Sequence, residues 1–494
     1  MLEAGFDNEK YLALQSEHIE KRIKQFGGKL YLEFGGKLFD DYHAARVLPG
    51  FLPDSKLKML LQLRDRAEIV IVINSVDIEK SKVRLDIGIT YDMDVLRLID
   101  AFRNYGLYVG SVVLSMYNNQ PAVQAFERRL TEQGIRVYRH YEIEGYPREL
   151  DMVISEQGYG KNDYIETTRE LIVVTAPGPG SGKMATCLSQ LYHDHKRGIC
   201  AGYAKFETFP IWNIPLNHPV NSAYEAATAD LNDINMIDPY HLEAYGQPAV
   251  NYNRDIESFP VLNAMFDMIL GSSPYKSPTD MGVNMAGFCI VDDDVCVRAS
   301  RQEIIRRYYS AVCRRVRGET GDDELMKIEL IMKKANIKLG ERRVVEPAIN
   351  KARLTGESAA AIELPNGKIL TGRTGKLLGC CAALLLNSLK ELAGIADDIM
   401  LISPVVIEPI QRLKVDHLGN ENPRLHTDEV LLALSICAAT NPTAQLAMDQ
   451  LKNLKGSEVH SSVILSSVDQ KTFKRLGVNV TCEPVYQSKN LYHR

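Results

Sequence analysis

The feature that most constrains the fold is a regular alternation of apolar runs and amphipathic segments in the first third of the chain. Residues 67–75, AEIVIVINS, form a continuous apolar run typical of a buried strand, and further strand patterns follow at residues 108–117 and 135–143. Between them, residues 93–106 place apolar side chains at helical spacing, and a second helix is predicted to end at Gly134. This order predicts a parallel sheet with crossover helices, so we expect an α/β first half, Rossmann-like or P-loop-like.

The chain of 494 residues is long enough for about three domains at roughly 150 residues each. An apolar strand starting at Leu171 continues the first sheet, so we expect an α/β domain over residues 1–254, with long polar and aromatic loops near its end. Helical periodicity then dominates, which predicts a helical part over residues 255–350. Strand patterns, one of them at residues 399–407, alternate later with helix patterns and predict a C-terminal α/β domain over residues 351–494.

The start of the C-terminal part carries a strong hairpin signal. Asn366 and Gly367 lie between two alternating apolar segments, and an apolar helix with Cys380 and Cys381 follows. A hairpin followed by such a helix is similar in outline to the cytidine-deaminase fold. Zinc deamination needs a glutamate in that helix and a later cysteine pair, but Ala383 stands at the glutamate position and the pair is missing. The sequence therefore predicts a shared outline without the zinc chemistry.

The sharpest candidate site is the segment TAPGPGSGK, which joins the strand at Leu171 to a predicted helix. A phosphate-binding loop needs small residues whose backbone N–H groups converge on oxygen atoms, a following helix N-terminus and a lysine. The segment supplies all three, and we predict that the ligand contacts come from Gly178, Gly180, Ser181, Gly182 and Lys183. Lys183 is also predicted to be catalytic, because it would neutralise the charge of the phosphate.

Two departures from the P-loop pattern weigh against an ordinary ATPase. Pro177 stands where the first glycine belongs, and Met184 stands where a hydroxyl group would bind magnesium. The prolines also lack N–H groups. A stiff turn whose glycines only permit close packing is the alternative. We favour phosphate binding over this packing role and disfavour full nucleotide hydrolysis.

Acidic residues could supply a base or a metal ligand for such chemistry. Asp230 and Asp280 are predicted as catalytic residues in one of these two roles, and the metal itself stays unknown. Asp292 closes an apolar run as the aspartate of a Walker B strand does, but an acidic hairpin turn at residues 292–294 is the favoured interpretation.

The segment from Ala201 to His241 mixes aromatic side chains with directional polar groups, as a small-molecule pocket does. A buried polar network that holds long loops together is nearly as good an explanation. The polar residues concerned are Lys205, Glu207, Asn213, Asn217, His218, Asn221, Glu225, Asp230 and Asp233.

Charge and composition exclude several classes of protein. There are 58 Lys and Arg residues against 63 Asp and Glu residues, so no bulk basic surface is expected for nucleic acid. No apolar run reaches the length of a membrane span, and no secretory signal is recognised at the start. Nine cysteines without CxxC spacing fit reduced thiols. We therefore expect a cytoplasmic protein. From the glycine-rich loop we expect a phosphorylated small molecule as its partner. We also expect a homo-oligomer, because such assemblies are common.

Long strings of the sequence resemble a conserved bacterial protein family of unknown function. They include TAPGPGSGKMATCLSQLYH and AGYAKFETFPIWN, and the resemblance extends over essentially the whole chain. It implies an α/β part, a helical insertion and a C-terminal α/β part, and it brings no activity, substrate or cofactor with it. Pro177 and Met184 belong to the pattern of this family.

Three functions therefore stay open. The first is an enzyme, such as a phosphotransferase, that uses a nucleotide or another phosphorylated molecule, with magnesium as an open cofactor. The second is a module that binds a phosphorylated ligand without turnover. The third is a structural, oligomeric protein in which the glycine-rich loop only packs.

Overall fold

The computed structural model describes residues 4–36, 38–39, 41–84 and 87–487. These residues form two compact units. The first, here called the sheet unit, runs from residue 4 to Glu225 and from Asn232 to Ala299. The second, the C-terminal unit, contains residues 226–231 and the described chain from Ser300 onward. No helix in the described part of the chain is both long enough and apolar enough to cross a membrane.

The sheet unit is built on a seven-stranded sheet in which every neighbouring pair of strands is parallel, so the predicted α/β first half with a parallel sheet is confirmed. Its order is β11-β8-β1-β7-β2-β5-β6, and β3 with β4 and β9 with β10 form two small ribbons. The strands are β1 Leu30–Phe34, β2 Ala67–Asn74, β3 Val83–Arg84, β4 Ile89–Thr90, β5 Tyr108–Tyr117, β6 Arg136–Tyr141, β7 Leu171–Thr175, β8 Gly202–Phe206, β9 Asn235–Ile237, β10 Val250–Tyr252 and β11 Gly282–Val283.

Helices connect these strands and cover the sheet. They are α1 Asn8–Gln25, α2 Tyr42–Val47, α3 Ser55–Gln62, α4 Ser75–Glu79, α5 Tyr91–Asn104, α6 Pro121–Glu132, α7 Leu150–Val153, α8 Lys183–Lys196, α9 Pro219–Ala227, α10 Pro239–Tyr245, α11 Asn253–Leu270 and α12 Pro278–Met281. On one face, alternate strand residues such as Tyr31, Val72 and Val174 pack with Leu188 of α8 and Met265 of α11. Helix α11, which the sequence assigns to a separate helical part, therefore belongs to the core of the sheet unit.

The connections at the middle of the sheet leave in opposite directions. β7 and β2 are neighbours, but β7 leads through α8 to β8 on one side, whereas β2 leads through α4 and α5 to β5 on the other. Because crossovers between parallel strands are right-handed, such connections use opposite faces of the sheet and open a crevice at the carboxyl edge. The glycine-rich loop follows β7 and lies at this point.

The C-terminal unit combines helices with a four-stranded sheet of order β13-β12-β14-β15. The antiparallel pairing of β12 with β13 confirms the hairpin predicted at Asn366 and Gly367, and the predicted helix follows it. The likeness to the deaminase fold stays a prediction. The first helix, α13 Asp293–Val316, begins in the sheet unit and continues into this unit from Ser300. The other elements are α14 Asp322–Lys334, α15 Val345–Thr355, β12 Ala359–Glu363, β13 Ile369–Arg373, α16 Cys380–Ala393, α17 Pro404–Arg412, α18 Thr427–Ala438, α19 Pro442–Met448, β14 Glu458–Ser461, α20 Ser467–Arg475 and β15 Asn479–Cys482.

Two predictions of local structure are wrong. The apolar segment at residues 399–407 was expected to form a strand, but α17 begins in it, because the Ser403 side chain caps the helix and Pro404 suits its first position. The acidic hairpin turn at residues 292–294 is a helix start instead. The Asp292 carboxylate accepts a hydrogen bond from the backbone N–H of Val295, which favours the start of α13.

Candidate functional site

The glycine-rich loop makes the turn from β7 into α8 with two residues in left-handed backbone conformation. Gly180 has a φ of 73° and Gly182 a φ of 90°, values that glycine adopts without a steric penalty. Gly182 is also the N-cap residue of α8, and no side chain caps this helix end. The N–H groups of the first turn of α8 are therefore left without a side-chain acceptor.

Neighbouring strand ends hold the loop in place. The Asn74 side chain at the end of β2 donates to the carbonyl oxygen of Gly180 at 3.2 Å, and Ser115 of β5 donates to that of Ser181 at 2.6 Å. The absence of a side chain at Gly178 lets the Tyr91 ring approach, because an added Cβ would lie 2.5 Å from the Tyr91 hydroxyl oxygen. The loop conformation is thus fixed by the sheet around it.

Two polar side chains of the loop have no hydrogen-bond or ion-pair partner among the described residues. The Ser181 hydroxyl is buried, with 3% of the residue exposed, and it has no hydrogen-bond partner among the described residues. Lys183 is partly buried and makes no ion pair or hydrogen bond with any described residue. A buried hydroxyl without a partner carries a desolvation cost that a ligand oxygen could remove.

A buried charge cluster lies beside the loop at the same edge of the sheet. Glu33 of β1 is paired in register with Val174 of β7 on one side and with Lys205 of β8 on the other. Its carboxylate accepts a hydrogen bond of 2.7 Å from the Tyr203 hydroxyl. Burial raises the pKa of the Cys187 thiol, the Glu33 carboxylate raises it further and the Lys183 ammonium lowers it, so both charges lie near this cysteine of α8.

Lys205 sits between two further carboxylates of this cluster. Its ammonium lies 2.6 Å from Glu207 and 2.5 Å from Asp255, the latter in the first turn of α11. Burial raises the pKa of Glu207 to about 7, although Lys205 lowers it, and the negative charges of Asp255 and Glu33 add to the rise. Glu207 also lines a small cavity together with Trp212, Asn251 and Asn284. A carboxyl group that exchanges its proton near neutral pH can act as an acid or a base.

For the aromatic and polar segment at residues 201–241, the sequence allows a small-molecule pocket or a buried polar network. Several of its polar side chains form such a network. The Asn221 amide accepts from the N–H of Ile211 and donates to its carbonyl oxygen, and His218 lies 3.0 Å from Asp293. These contacts hold loops in place. Lys205 and Glu207 are the residues of this segment that belong to the charge cluster beside the loop.

Neither of the two predicted aspartates belongs to the loop or to the strand ends that hold it. The Asp280 carboxylate accepts hydrogen bonds from the Tyr245 hydroxyl at 2.8 Å and from the backbone N–H of Lys276 at 3.0 Å. It lies just before β11, three strand positions from β7. Asp230 is exposed and belongs to the short turn at residues 229–231 of the C-terminal unit. The predicted contact residues Gly178, Gly180, Ser181, Gly182 and Lys183 all lie in the turn from β7 into α8.

No group of three or more His, Cys, Asp or Glu side chains is arranged to hold a metal ion within the described ranges. Cys380 and Cys381, at the start of α16, are buried and form no disulfide. The sequence prediction left the metal open, and the described side chains do not single one out.

Sequence reasoning missed Glu33, Tyr203 and Asp255 as members of the charge cluster. One signal was available for Glu33, since it is a carboxylate within the apolar strand segment LYLEF. Acidic residues are almost never fully buried unless they are paired, so a charge in such a segment indicates a partner or a function. No comparable local signal marks Asp255, which lies at the start of an ordinary helix.

Comparison with known proteins identifies the family. The family described as "Domain of unknown function DUF1846, N-terminal" matches residues 4–336, and its C-terminal counterpart matches residues 340–492. A UPF0371 protein of Streptococcus uberis (strain ATCC BAA-854 / 0140J) is 57% identical over 494 residues, which is the whole of both chains. A UPF0371 protein of Streptococcus pneumoniae (strain ATCC BAA-255 / R6) is also 57% identical over the full length of both chains. The chain therefore belongs to the UPF0371 family, a conserved bacterial family of unknown function, as the sequence predicts.

Proposed function

We propose that the loop at residues 176–183 binds the phosphate group of a nucleotide or another phosphorylated small molecule. The observation that carries this proposal is the buried Ser181 hydroxyl without a partner, next to the uncapped N-terminus of α8. A phosphate oxygen would accept hydrogen bonds from this hydroxyl and from the first-turn N–H groups. It would thus satisfy donors that the folded chain leaves unpaired.

Lys183 would neutralise the phosphate charge. Its ammonium group has no ionic partner among the described residues, whereas Lys205 at the same edge is held between two carboxylates. The glycines at 178, 180 and 182 would let the backbone approach the ligand closely. This assignment uses every residue that the sequence predicts for phosphate binding.

Phosphoryl transfer is the catalytic form of this proposal. Glu207 favours it, because a carboxyl group with a pKa of about 7 can accept a proton from an attacking hydroxyl group. Met184 favours binding without turnover, since it offers no hydroxyl for magnesium. Nucleotide and magnesium therefore remain the cofactors to be tested, and the roles of Asp230 and Asp280 as base or metal ligand stay predictions.

A homo-oligomer is a second proposal, supported by exposed apolar side chains on the C-terminal unit. Val405, Leu418, Leu432 and Ile436 are each between 67% and 76% exposed. Such side chains often mark a protein interface when they are contiguous. Light scattering coupled to gel filtration would test this proposal, and a monomeric mass at micromolar concentration would contradict it.

Thermal unfolding with added ligands tests the phosphate site. We expect ATP, ADP or a sugar phosphate to raise the unfolding midpoint of the wild type, because a ligand at 100 times its Kd stabilises by about 2.7 kcal/mol. Lys183→Ala should abolish the rise without lowering the midpoint of the free protein, since the side chain has no partner to lose. Each ligand is added with and without magnesium.

Lys196→Ala is the matched control, since it removes a lysine from the other end of α8, where Lys196 pairs with Glu156 at the surface. This variant should respond to ligand as the wild type does. An equal rise in Lys183→Ala, or no rise in the wild type with any ligand, would contradict the proposal. Turnover in the same samples would distinguish an enzyme from a binding module.

A further inference from the structure

Charged side chains continue from the loop along the carboxyl edge of the sheet, on the face that α8 covers. Tyr31 and Tyr203 belong to the core on that face. Since side chains alternate along a strand, Glu33 and Lys205, each two residues further on, point to the same face. Glu33 lies on β1, which separates β7 with its loop from β8 with Lys205. The three strand ends therefore form one continuous row.

Glu33 has acceptor capacity that the protein does not use. Only 8% of the residue is exposed, and one carboxylate oxygen accepts the Tyr203 hydroxyl. No described residue donates a hydrogen bond to its second oxygen. An ionised carboxylate can accept about four hydrogen bonds. The second oxygen is not among the polar atoms that the fold buries without a partner, so a donor from outside the chain can reach it.

The charges around Glu33 indicate what kind of donor fits. Lys205 is already shared between Glu207 and Asp255, and Lys183 lies near the same cysteine of α8 as Glu33 does. Lys205 therefore already supplies this cluster with a cationic partner, and a ligand does not need to bring another. In the part of the chain that the structure describes, no metal-binding group is present either. Neutral hydroxyl groups can donate to Glu33 without adding a charge to the cluster.

The spacing of the row sets the size of the ligand. Neighbouring strands lie about 4.8 Å apart, so β7 and β8 are separated by about 10 Å. A phosphate in the loop and hydroxyl groups beside Glu33 and Glu207 would be bridged by a molecule of that length. A pentose phosphate, alone or as part of a nucleotide, has this reach.

We propose that Glu33 and Glu207 accept hydrogen bonds from hydroxyl groups of a phosphorylated polyol, such as a sugar phosphate or a nucleotide. This inference rests on the proposed phosphate site, because the same molecule places its phosphate in the loop. Glu33 binds the hydroxyl groups nearer to the phosphate, and Glu207, which faces a cavity, binds those further away. The loop thus supplies affinity for phosphate, and the carboxylates select the ligand that carries it.

Calorimetric titration with three probes separates these two contributions. Inorganic phosphate and propyl phosphate report on the loop alone, and ribose 5-phosphate adds hydroxyl groups. At pH 8 we expect the wild type to bind ribose 5-phosphate at least about tenfold more tightly than propyl phosphate, the effect of one hydrogen bond to a charged group. Glu33→Gln should reduce this ratio several-fold, because Glu207 still binds the more distant hydroxyl groups, and it should leave the affinity for inorganic phosphate within about twofold.

Glu68→Gln is the matched control, since it changes another buried carboxylate of the same sheet that accepts hydrogen bonds from Thr168. It should keep the wild-type ratio. Glu207→Gln tests the second carboxylate, and it replaces Glu33→Gln as the decisive variant if the latter does not fold. In either variant, a reduced ratio supports the inference.

The outcomes distinguish the inference from the function on which it rests. If the wild type binds ribose 5-phosphate and propyl phosphate equally, the polyol inference is wrong, although the phosphate site stands when Lys183→Ala loses both probes. An unchanged ratio in Glu33→Gln and Glu207→Gln also overturns it. If the wild type binds none of the three probes, the phosphate site and the inference both fail.

Discussion

Replacing Glu207 with glutamine is expected to stabilise the protein increasingly as the pH rises from 5 to 8. Burial is the main reason, because it raises the pKa of this carboxyl group from 4.5 to about 7 even though Lys205 opposes the rise. Asp255 and Glu33 add negative charge nearby. Ionised Glu207 is therefore unfavourable in the folded protein, and glutamine keeps the shape of the side chain without that charge.

The magnitude follows from the change in pKa. Raising the pKa of Glu207 from 4.5 to about 7 corresponds to about 3 kcal/mol of folding free energy. Because the pKa is higher in the folded than in the unfolded state, this contribution is complete below pH 4.5 and is lost as the pH rises through 7. Most of this contribution is lost between pH 5 and pH 8. The glutamine variant does not lose it.

The assay is denaturant unfolding of the wild type and Glu207→Gln at pH 5, 6, 7 and 8, comparing the free energy of unfolding at each pH. Taking the difference between the two proteins cancels the titration of groups that do not interact with Glu207. Tyr224 and Tyr252 do interact with it, but burial raises the pKa of both hydroxyl groups, so they stay protonated between pH 5 and pH 8. Glu341→Gln is the control, because a hydrogen bond from Arg301 lowers the pKa of Glu341. Its difference from the wild type should stay constant between pH 6 and pH 8. Parallel curves for Glu207→Gln and the wild type would refute the reasoning.

Two further substitutions test the packing of the two units. Gly178→Ala should destabilise the protein by about 1–3 kcal/mol in thermal unfolding, because the new Cβ would lie 2.5 Å from the Tyr91 hydroxyl oxygen. Gly375→Ala is the control and should be neutral, because its new Cβ would meet no atom within 4 Å. Equal midpoints for the two variants would contradict this. Arg342→Met should cost about 3–5 kcal/mol in denaturant unfolding, because the buried guanidinium pairs with Glu458 at 2.5 Å and only 1% of its side chain is exposed. A loss below about 1 kcal/mol would show that the pairing is dispensable.

Periodicity predicted the parallel sheet because its central strands β2 and β7 are largely apolar, and parallel strands buried on both faces require such runs. The same criterion failed at residues 399–407, where the segment is equally apolar. In this segment, a serine at the N-cap and a proline at the first helical position favour a helix. Apolar content alone does not distinguish a short strand from a short helix, and capping residues then carry the decision.

The glycine-rich loop could be predicted from the sequence, whereas the charge cluster beside it could not. The loop was predictable because its phosphate-binding residues are contiguous, and their spacing is itself the signal. The charge cluster is different, because its residues Glu33, Lys205 and Asp255 are spread over more than 200 positions of the sequence. They meet only because β1 is inserted between β7 and β8. Strand order depends on long-range pairing, which local patterns do not encode. A charge within an apolar strand, as at Glu33, is the one local sign that such a pairing leaves in the sequence.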